Sequence, residues 1–259
     1  MKRKGARLGQ HFLTGIWAAR ALAAAAAKED ADTTLEIGPG TGALTRELLA
    51  TGKQVVAVEK DEVLVRALRE TFADEIASKQ LSLIEGDVRD FRPEEARLGK
   101  YVVAANIPYY ITGEIIRQFL TAPSQPAAMF LLIQKEVAQR IVSGTESILS
   151  LSVKAYGTPK ILKKVSRGNF SPPPSVDSAI LGIEHISRDF FADLDEDRFF
   201  EAVRVGFSSK RKFLASNLGS LVGKERVSSA LRACKLSEKI RAEELRLSEW
   251  KRLLKELSV

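Results

Sequence analysis

Along the first half of the chain, short apolar runs alternate with segments of helical period. "AARALAAAAAK" (18–28) reads as a helix, and "TTLEIGPGTGALTRELLATG" (33–52) as strand, glycine turn and helix, with Gly52 closing the helix. "KQVVAVEKD" (53–61) is a buried strand and "EVLVRALRETF" (62–72) an amphipathic helix. "LSLIEGDVRDF" (81–91), "YVVAAN" (101–106) and "AAMFLLIQKE" (127–136) supply three more strands, the last running into the helix "KEVAQRIV" (135–142). Strands that alternate with helices predict an α/β fold, a mostly parallel sheet with helices on both faces.

The pattern then changes. "KILKKVSRGNF", "SPPPS" and "VDSAILGIEHI" (160–186) read as two strands joined by a proline-stiffened connection, an antiparallel edge. "SILSLSVKAYG" (147–157) fits either period and is read as a helix. From about Asp195 onward the period is helical throughout, including "SSKRKFLASNLGSL" (208–221). These shifts predict two domains, residues 1–186 with the sheet and residues 187–259 as a small all-helical domain.

At 259 residues the chain can bury a sizeable core, and its 45% apolar and 28% charged content is ordinary for a globular protein. One cysteine, Cys234, allows no internal disulfide, and with His11 and His185 it offers no structural zinc spacing, so no metal is expected. The alanine run 23–27 beside Arg20 makes a helix rather than the core of a signal peptide, and no apolar stretch approaches the ~20 residues of a membrane span. A cytoplasmic protein without membrane contact is expected. The net charge of +7 is uneven: residues 1–28 hold six Lys/Arg and no acid, and residues 197–259 hold fifteen Lys/Arg against eight Asp/Glu. Two basic ends around an acidic middle suit a polyanion gripped by the flanks, although solvated helix faces would give the same counts.

In an open parallel sheet, ligands gather at the carboxyl ends of the strands. Four successive strand ends here carry Gly38-Pro39-Gly40-Thr41-Gly42, Glu59, Asp87 and Asn106. The glycine spacing is G-x-G-x-G, not the G-x-G-x-x-G that lays a pyrophosphate on a helix N-terminus. Glu59 stands where an acid can accept from ribose hydroxyls, and Asp87 where one can accept from an adenine amine. Singly, Glu59 also reads as a surface carboxylate and Asp87 as a helix cap. Together they describe a pocket for an adenosine without phosphate, such as S-adenosylmethionine.

The fourth strand ends in "NIPYY" (106–110), an odd ending for a buried run. An adenine N6 lone pair is delocalised into its ring and makes a poor nucleophile. The Asn106 side-chain oxygen and the Ile107 carbonyl can accept both N6 hydrogens, which favours a pyramidal nitrogen aimed at a methyl group. Pro108 biases Ile107 to an extended conformation and removes an N–H, and Tyr109 can stack on the base. The plain alternative is an Asn-Pro turn followed by core tyrosines.

Read in order, "LGQHFL", "EIGPGTGALT", "VAVEKD", "GDV", "NIPYYIT", "QKEVAQRI", "FSPPPSVDSAI" and "FSSKRKFLASNL" resemble the KsgA-type ribosomal RNA adenine N6,N6-dimethyltransferases over nearly the whole chain. The resemblance implies a Rossmann-like class I S-adenosylmethionine-dependent methyltransferase domain and a helical RNA-binding domain. It implies methylation of two adjacent adenosines near the 3′ end of small-subunit (16S) rRNA during ribosome biogenesis, by a monomer. By the same resemblance, His11 and Leu13 close over the cofactor, Gly38 lines it, Glu59 holds its ribose and Asp87 its amine. Asn106 sits where cofactor and target meet, with Pro108 behind it, and Tyr109 and Phe170 stack on opposite faces of the flipped adenine. The chain departs from the family at His11, usually Asn, and around 143–150, where the usual Tyr-Gly-Arg is missing. Three other readings remain: an erythromycin-resistance-type enzyme acting on large-subunit rRNA, a mainly non-catalytic assembly factor, and, least supported by the glycine spacing, a nicotinamide dehydrogenase.

Overall fold

The computed structural model describes residues 11–258. The basic positions Lys2, Arg3, Lys4 and Arg7, and the start of the "LGQHFL" motif, lie outside the described residues. The elements run β1 Phe12–Leu13, α1 Ile16–Lys28, β2 Thr33–Ile37, α2 Ala43–Leu49, β3 Gln54–Glu59, α3 Glu62–Thr71, α4 Ala73–Ala77, β4 Leu81–Glu85, β5 Tyr101–Asn106 and α5 Thr112–Thr121. Next come β6 Ala128–Gln134, α6 Lys135–Ser143, α7 Ile148–Tyr156, β7 Thr158–Val165, β8 Phe170–Ser171 and β9 Ser178–Glu184. Four helices follow: α8 Glu196–Gly206, α9 Leu214–Val222, α10 Lys224–Ala233 and α11 Leu247–Glu256. By internal contacts the described chain forms two compact units, one of residues up to 138 with 158–186, the other of 139–157 with 187 onward.

In the first unit the sheet order is β4-β3-β2-β5-β6-β9-β7. The first five of these strands pair in parallel, and β9 pairs antiparallel with both β6 and β7. β2 is buried at every position and β5 at all but its last, as continuous apolar runs require when both sheet faces are covered. Alternation divides the side chains between the faces. Val55, Ala57, Val102, Ala104, Phe130 and Leu132 join the core formed with α1 and α2, while Val56, Val58, Val103, Ala105, Met129 and Leu131 stand outside that cluster and are also buried. Cutting one of these, such as Leu132, to Ala should cost roughly 2–5 kcal/mol.

The chain steps outward from β2 through β3 to β4, then returns to lay β5 on the other side of β2. The strand order therefore reverses between β2 and β5, and a crevice opens beyond their carboxyl ends. A separate two-stranded ribbon adds something that two residues of sequence could not announce: β1 pairs with β8, Phe12 opposite Ser171 and Leu13 opposite Phe170. Asn169 secures it, its carbonyl accepting from the Thr14 and Gly15 N–H groups and its Oδ1 from Trp17 Nε1.

The second unit packs its helices around Trp250, Phe199 and Leu253. Residues 139–157, read from sequence with the first domain, pack here instead, because Leu151 and Ala155 of α7 belong to this helical core. Ser147 caps α7 by accepting from the Ser150 N–H. Lys210, Arg211 and Lys212 were expected on a helix but occupy the turn between α8 and α9. Asn217 pins that turn by donating to the carbonyls of Gly206 and Ser209. No helix among the described residues is long and apolar enough to cross a membrane.

Candidate active site

The crevice beyond β2 and β5 is a cavity of about 310 Å³, lined from β1, the glycine turn, the ends of β3 and β4, and residues 106–111. It brings together His11, Leu13, Gly38, Glu59, Asp87, Asn106, Pro108 and Tyr109. Phe170 is the exception. It is 4% exposed, pairs with Leu13 and packs into the core with Val165 and Ile180, so it lines no part of the cavity. In this arrangement its ring belongs to the core cluster behind the β1–β8 ribbon, apart from Tyr109 at the cavity wall.

The glycine turn follows from backbone conformation. Gly38 has φ +64° with open space where a Cβ would stand, so conformation alone calls for glycine there. Gly42 has φ +81°, and a Cβ on it would meet the Phe72 ring at 2.6 Å. Glu59 ties this turn to β3. Its Oε2 accepts from the Gly40 N–H at 3.0 Å, and its Oε1 from the Lys60 and Asp61 N–H groups at 2.9 and 3.0 Å. A carboxylate has about four lone-pair sites, so roughly one remains for a ligand hydroxyl.

Asp87 is held by cations rather than left open. Arg89 donates from its backbone N–H, Nε and Nη2, the last at 2.6 Å, and Lys60 Nζ donates at 2.8 Å. The Arg89 guanidinium, with Lys60 adding to it, holds this carboxyl well below the usual carboxylate range. It stays ionised at any working pH.

Glu36, one residue before the end of β2, was not singled out from sequence. It is 1% exposed, and its Oε2 has no hydrogen-bond partner among the described residues; the nearby Thr45 Oγ1 has none either. Burial pushes its carboxyl up to about 8 against the lowering influence of Thr45 beside it, and the charge of Glu59 adds to the rise. The signal was present in "EIGPG", but a strand position gives no hint of an unanswered oxygen.

Asn106 is oriented by the arm that carries β1. Its Nδ2 donates to the His11 carbonyl at 3.0 Å, which leaves Oδ1 as the free end of the amide. His11 is held in turn, with Nδ1 donating to the Pro172 carbonyl at 2.8 Å. Its ring lies 5.8 Å from that of Tyr109. Tyr109 is fixed at its far end by a 2.8 Å hydrogen bond between its hydroxyl and Ser178 Oγ, and burial raises its phenol. The Ile107 N–H is bonded to Leu132, whereas the Ile107 carbonyl accepts no hydrogen bond among the described residues. Two acceptors from consecutive residues are thus left at the strand end.

The donor set decides which ligand fits. The carboxylates Glu59, Asp61 and Asp87 line the cavity, and its cations Lys60 and Arg89 are both engaged with Asp87. Such a lining disfavours a pyrophosphate and suits a positively charged ligand that carries an adenosine, as S-adenosylmethionine does. No cluster of metal-ligating side chains occurs among the described residues.

Known proteins agree with this arrangement. A ribosomal RNA small subunit methyltransferase A of Dehalococcoides mccartyi (strain CBDB1) is 42% identical over 258 residues, covering 97% of this chain and 87% of the relative. One of Synechococcus sp. (strain JA-2-3B'a(2-13)) is 41% identical, covering 94% of this chain and 89% of its own. Among solved structures, the 23S rRNA methyltransferase ErmE is 26% identical with a TM-score of 0.78, covering 96% of this chain and all of its own. A dimethyladenosine transferase from Plasmodium falciparum shares the fold at 24% identity and a TM-score of 0.77, covering 96% of this chain and 98% of its own. The fold is that of a class I methyltransferase. The ribosomal RNA adenine dimethylase model matches residues 1–258, and with Glu59, Asp87, Asn106 and Tyr109 lining one crevice, the chain belongs to the ribosomal RNA adenine dimethylase family.

Proposed function

We infer that this enzyme transfers methyl groups from S-adenosylmethionine to the N6 amines of two adjacent adenosines near the 3′ end of small-subunit rRNA. The observation that carries the reading is the fixed amide of Asn106, turned by the His11 carbonyl so that Oδ1 and the Ile107 carbonyl form a pair of acceptors. Held here, S-adenosylmethionine would supply an electrophilic methyl group, its sulfonium sulfur taking back the C–S bonding pair as a neutral thioether. Asn106 and Ile107 accept the two N6 hydrogens and aim the nitrogen lone pair at that methyl. Tyr109 stacks on the flipped base, which offsets the few kcal/mol that unstacking costs. No strong base is required, since the methylated nitrogen sheds its proton readily to water. Glu59 receives a ribose hydroxyl, and Asp87 receives the adenine amine as Lys60 or Arg89 gives up one of the four hydrogen bonds that fill its carboxylate, with Gly38 allowing close approach and His11 and Leu13 covering the cofactor.

The helical unit, with its basic turn at Lys210–Lys212, serves as the RNA-gripping part. The enzyme works as a monomer in the cytoplasm on a small ribosomal subunit or its precursor. Small-subunit relatives above 40% identity support this target over the large-subunit one, which the 23S enzyme represents at 26% identity. Incubation with methyl-labelled S-adenosylmethionine and unmethylated small or large subunits, followed by mapping of modified adenines, tests it. Label confined to large-subunit rRNA, or no label at all, would overturn it.

A further inference from the structure

Tyr110 and Arg89 stand at the rim of the cavity described above, and both also line a second, more open groove of about 870 Å³. Methyl transfer as derived above makes no use of that groove. One wall is a face of α5, where Gly113, Glu114, Arg117 and Thr121 recur at helical spacing while Ile115, Ile116, Phe119 and Leu120 are buried behind them. The other wall is the segment 89–94, and it is pinned in place. Gln118 Nε2 donates to the carbonyls of Val88 and Phe91 at 2.7 and 3.1 Å, and Arg92 Nη1 to those of Arg89 and Phe91. The groove is therefore a held shape.

Its chemistry is that of a nucleotide. Tyr110 is 68% exposed, more than any other large apolar side chain among the described residues. Taken singly such exposure is ordinary, but this ring borders both hollows. Arg117 makes no side-chain hydrogen bond or ion pair with a described residue, whereas Arg89 is committed to Asp87. Glu94 and Glu114 also line the groove. Two carboxylates beside the arginines disfavour a bare phosphate, yet they suit the amino and hydroxyl hydrogens of a nucleotide. A base flipped into the first cavity leaves its neighbour on the same strand at the shared rim.

We propose that this groove seats the nucleotide adjacent to the target adenosine, with its base stacked on Tyr110 and its phosphate against Arg117. The proposal rests on the RNA-methylating reading of the first cavity. Because every base has a π face, such a seat holds single-stranded RNA with little regard to sequence.

The test is steady-state methylation of unmethylated small subunits by the full chain over a salt series, with cofactor affinity measured separately by calorimetry. Tyr110→Ala should raise KM for the subunit about tenfold, and Tyr110→Phe should restore most of that loss. Arg117→Ala should reduce the slope of log affinity against log salt by about 0.7. Both substitutions replace exposed side chains, so cofactor affinity should hold. Unchanged KM and slope would return the groove to plain solvated surface. A matching fall in cofactor affinity would assign Tyr110 to the first cavity and overturn the proposal. A wild-type chain that methylates no subunit would sink the underlying reading itself, an outcome distinct from active wild type with indifferent variants.

Discussion

The side-chain amide of Asn106 donates to the backbone carbonyl of His11 at 3.0 Å, across 95 residues of chain. This bond settles which end of the amide faces the reacting centre. A carbonyl can only accept, so the nitrogen must face His11 and the oxygen must face away.

Asn106→Ala should therefore lower single-turnover methylation at saturating cofactor by about 10²–10³ while changing cofactor affinity far less. Asn106→Asp should fare no better, because it sets a carboxylate oxygen against the His11 carbonyl and loses the bond that orients the group. Asp at the wild-type rate would remove the His11 contact from the account.

Asp87→Ala should weaken S-adenosylmethionine by about tenfold or more, since an ionised acceptor for the adenine amine is lost. The depressed carboxyl titrates only in strong acid, so any contribution it makes to stability is present above the ordinary Asp range and is lost only as pH falls through the depressed value. Isothermal titration at pH 5.5 and 8 should thus give the same ratio of wild-type to variant affinity. A ratio that changes between the two would point to a different titrating partner.

Glu36→Gln probes the raised carboxyl. A carboxyl near 8 in the folded chain and near 4.5 when unfolded binds its proton more tightly in the folded state. Its stabilisation is complete below about pH 4.5 and declines as pH rises toward 8. The wild-type melting temperature should consequently drop between pH 5.5 and 8 by more than that of Glu36→Gln. Parallel curves for the two proteins would show that this carboxyl does not titrate in that window.

Phe170 and Tyr109 separate packing from stacking. Phe170→Ala should destabilise the fold by roughly 3–5 kcal/mol, visible in denaturant melts, with activity per folded molecule largely kept. Tyr109→Ala should do the reverse, costing rate and RNA affinity more than stability. If Phe170→Ala instead abolishes turnover in a stably folded chain, its ring must reach the base after all.

Much of this was legible from the apolar runs, because a strand buried on both faces announces itself over five or six residues. Topology alone put Gly38, Glu59, Asp87 and Asn106 at the strand ends, as each follows or ends such a run, and all four line the one cavity. What stayed hidden were relationships that leave no local period. β1 and β8 are two residues each, and nothing near Leu13 names Phe170 as its partner. The basic run at Lys210 has helical composition, but Asn217 holds it as a turn from seven residues away in α9. The segment 139–157 lies between two strands in sequence, and only the placement of Leu151 and Ala155 shows which core it completes.

The clasp on His11 also has a consequence in time. Its anchor at Pro172 lies 161 residues further along the chain, and a ribosome adding about 5–20 residues per second takes roughly 8–30 s to travel that distance. During synthesis the arm emerges long before the segment that holds it, and the amide of Asn106 has no settled orientation in the interval. The glycine turn and the first three parallel strands can form without waiting. The orientation of the Asn106 amide is thus settled after the glycine turn and first strands, at the moment the β1–β8 ribbon closes.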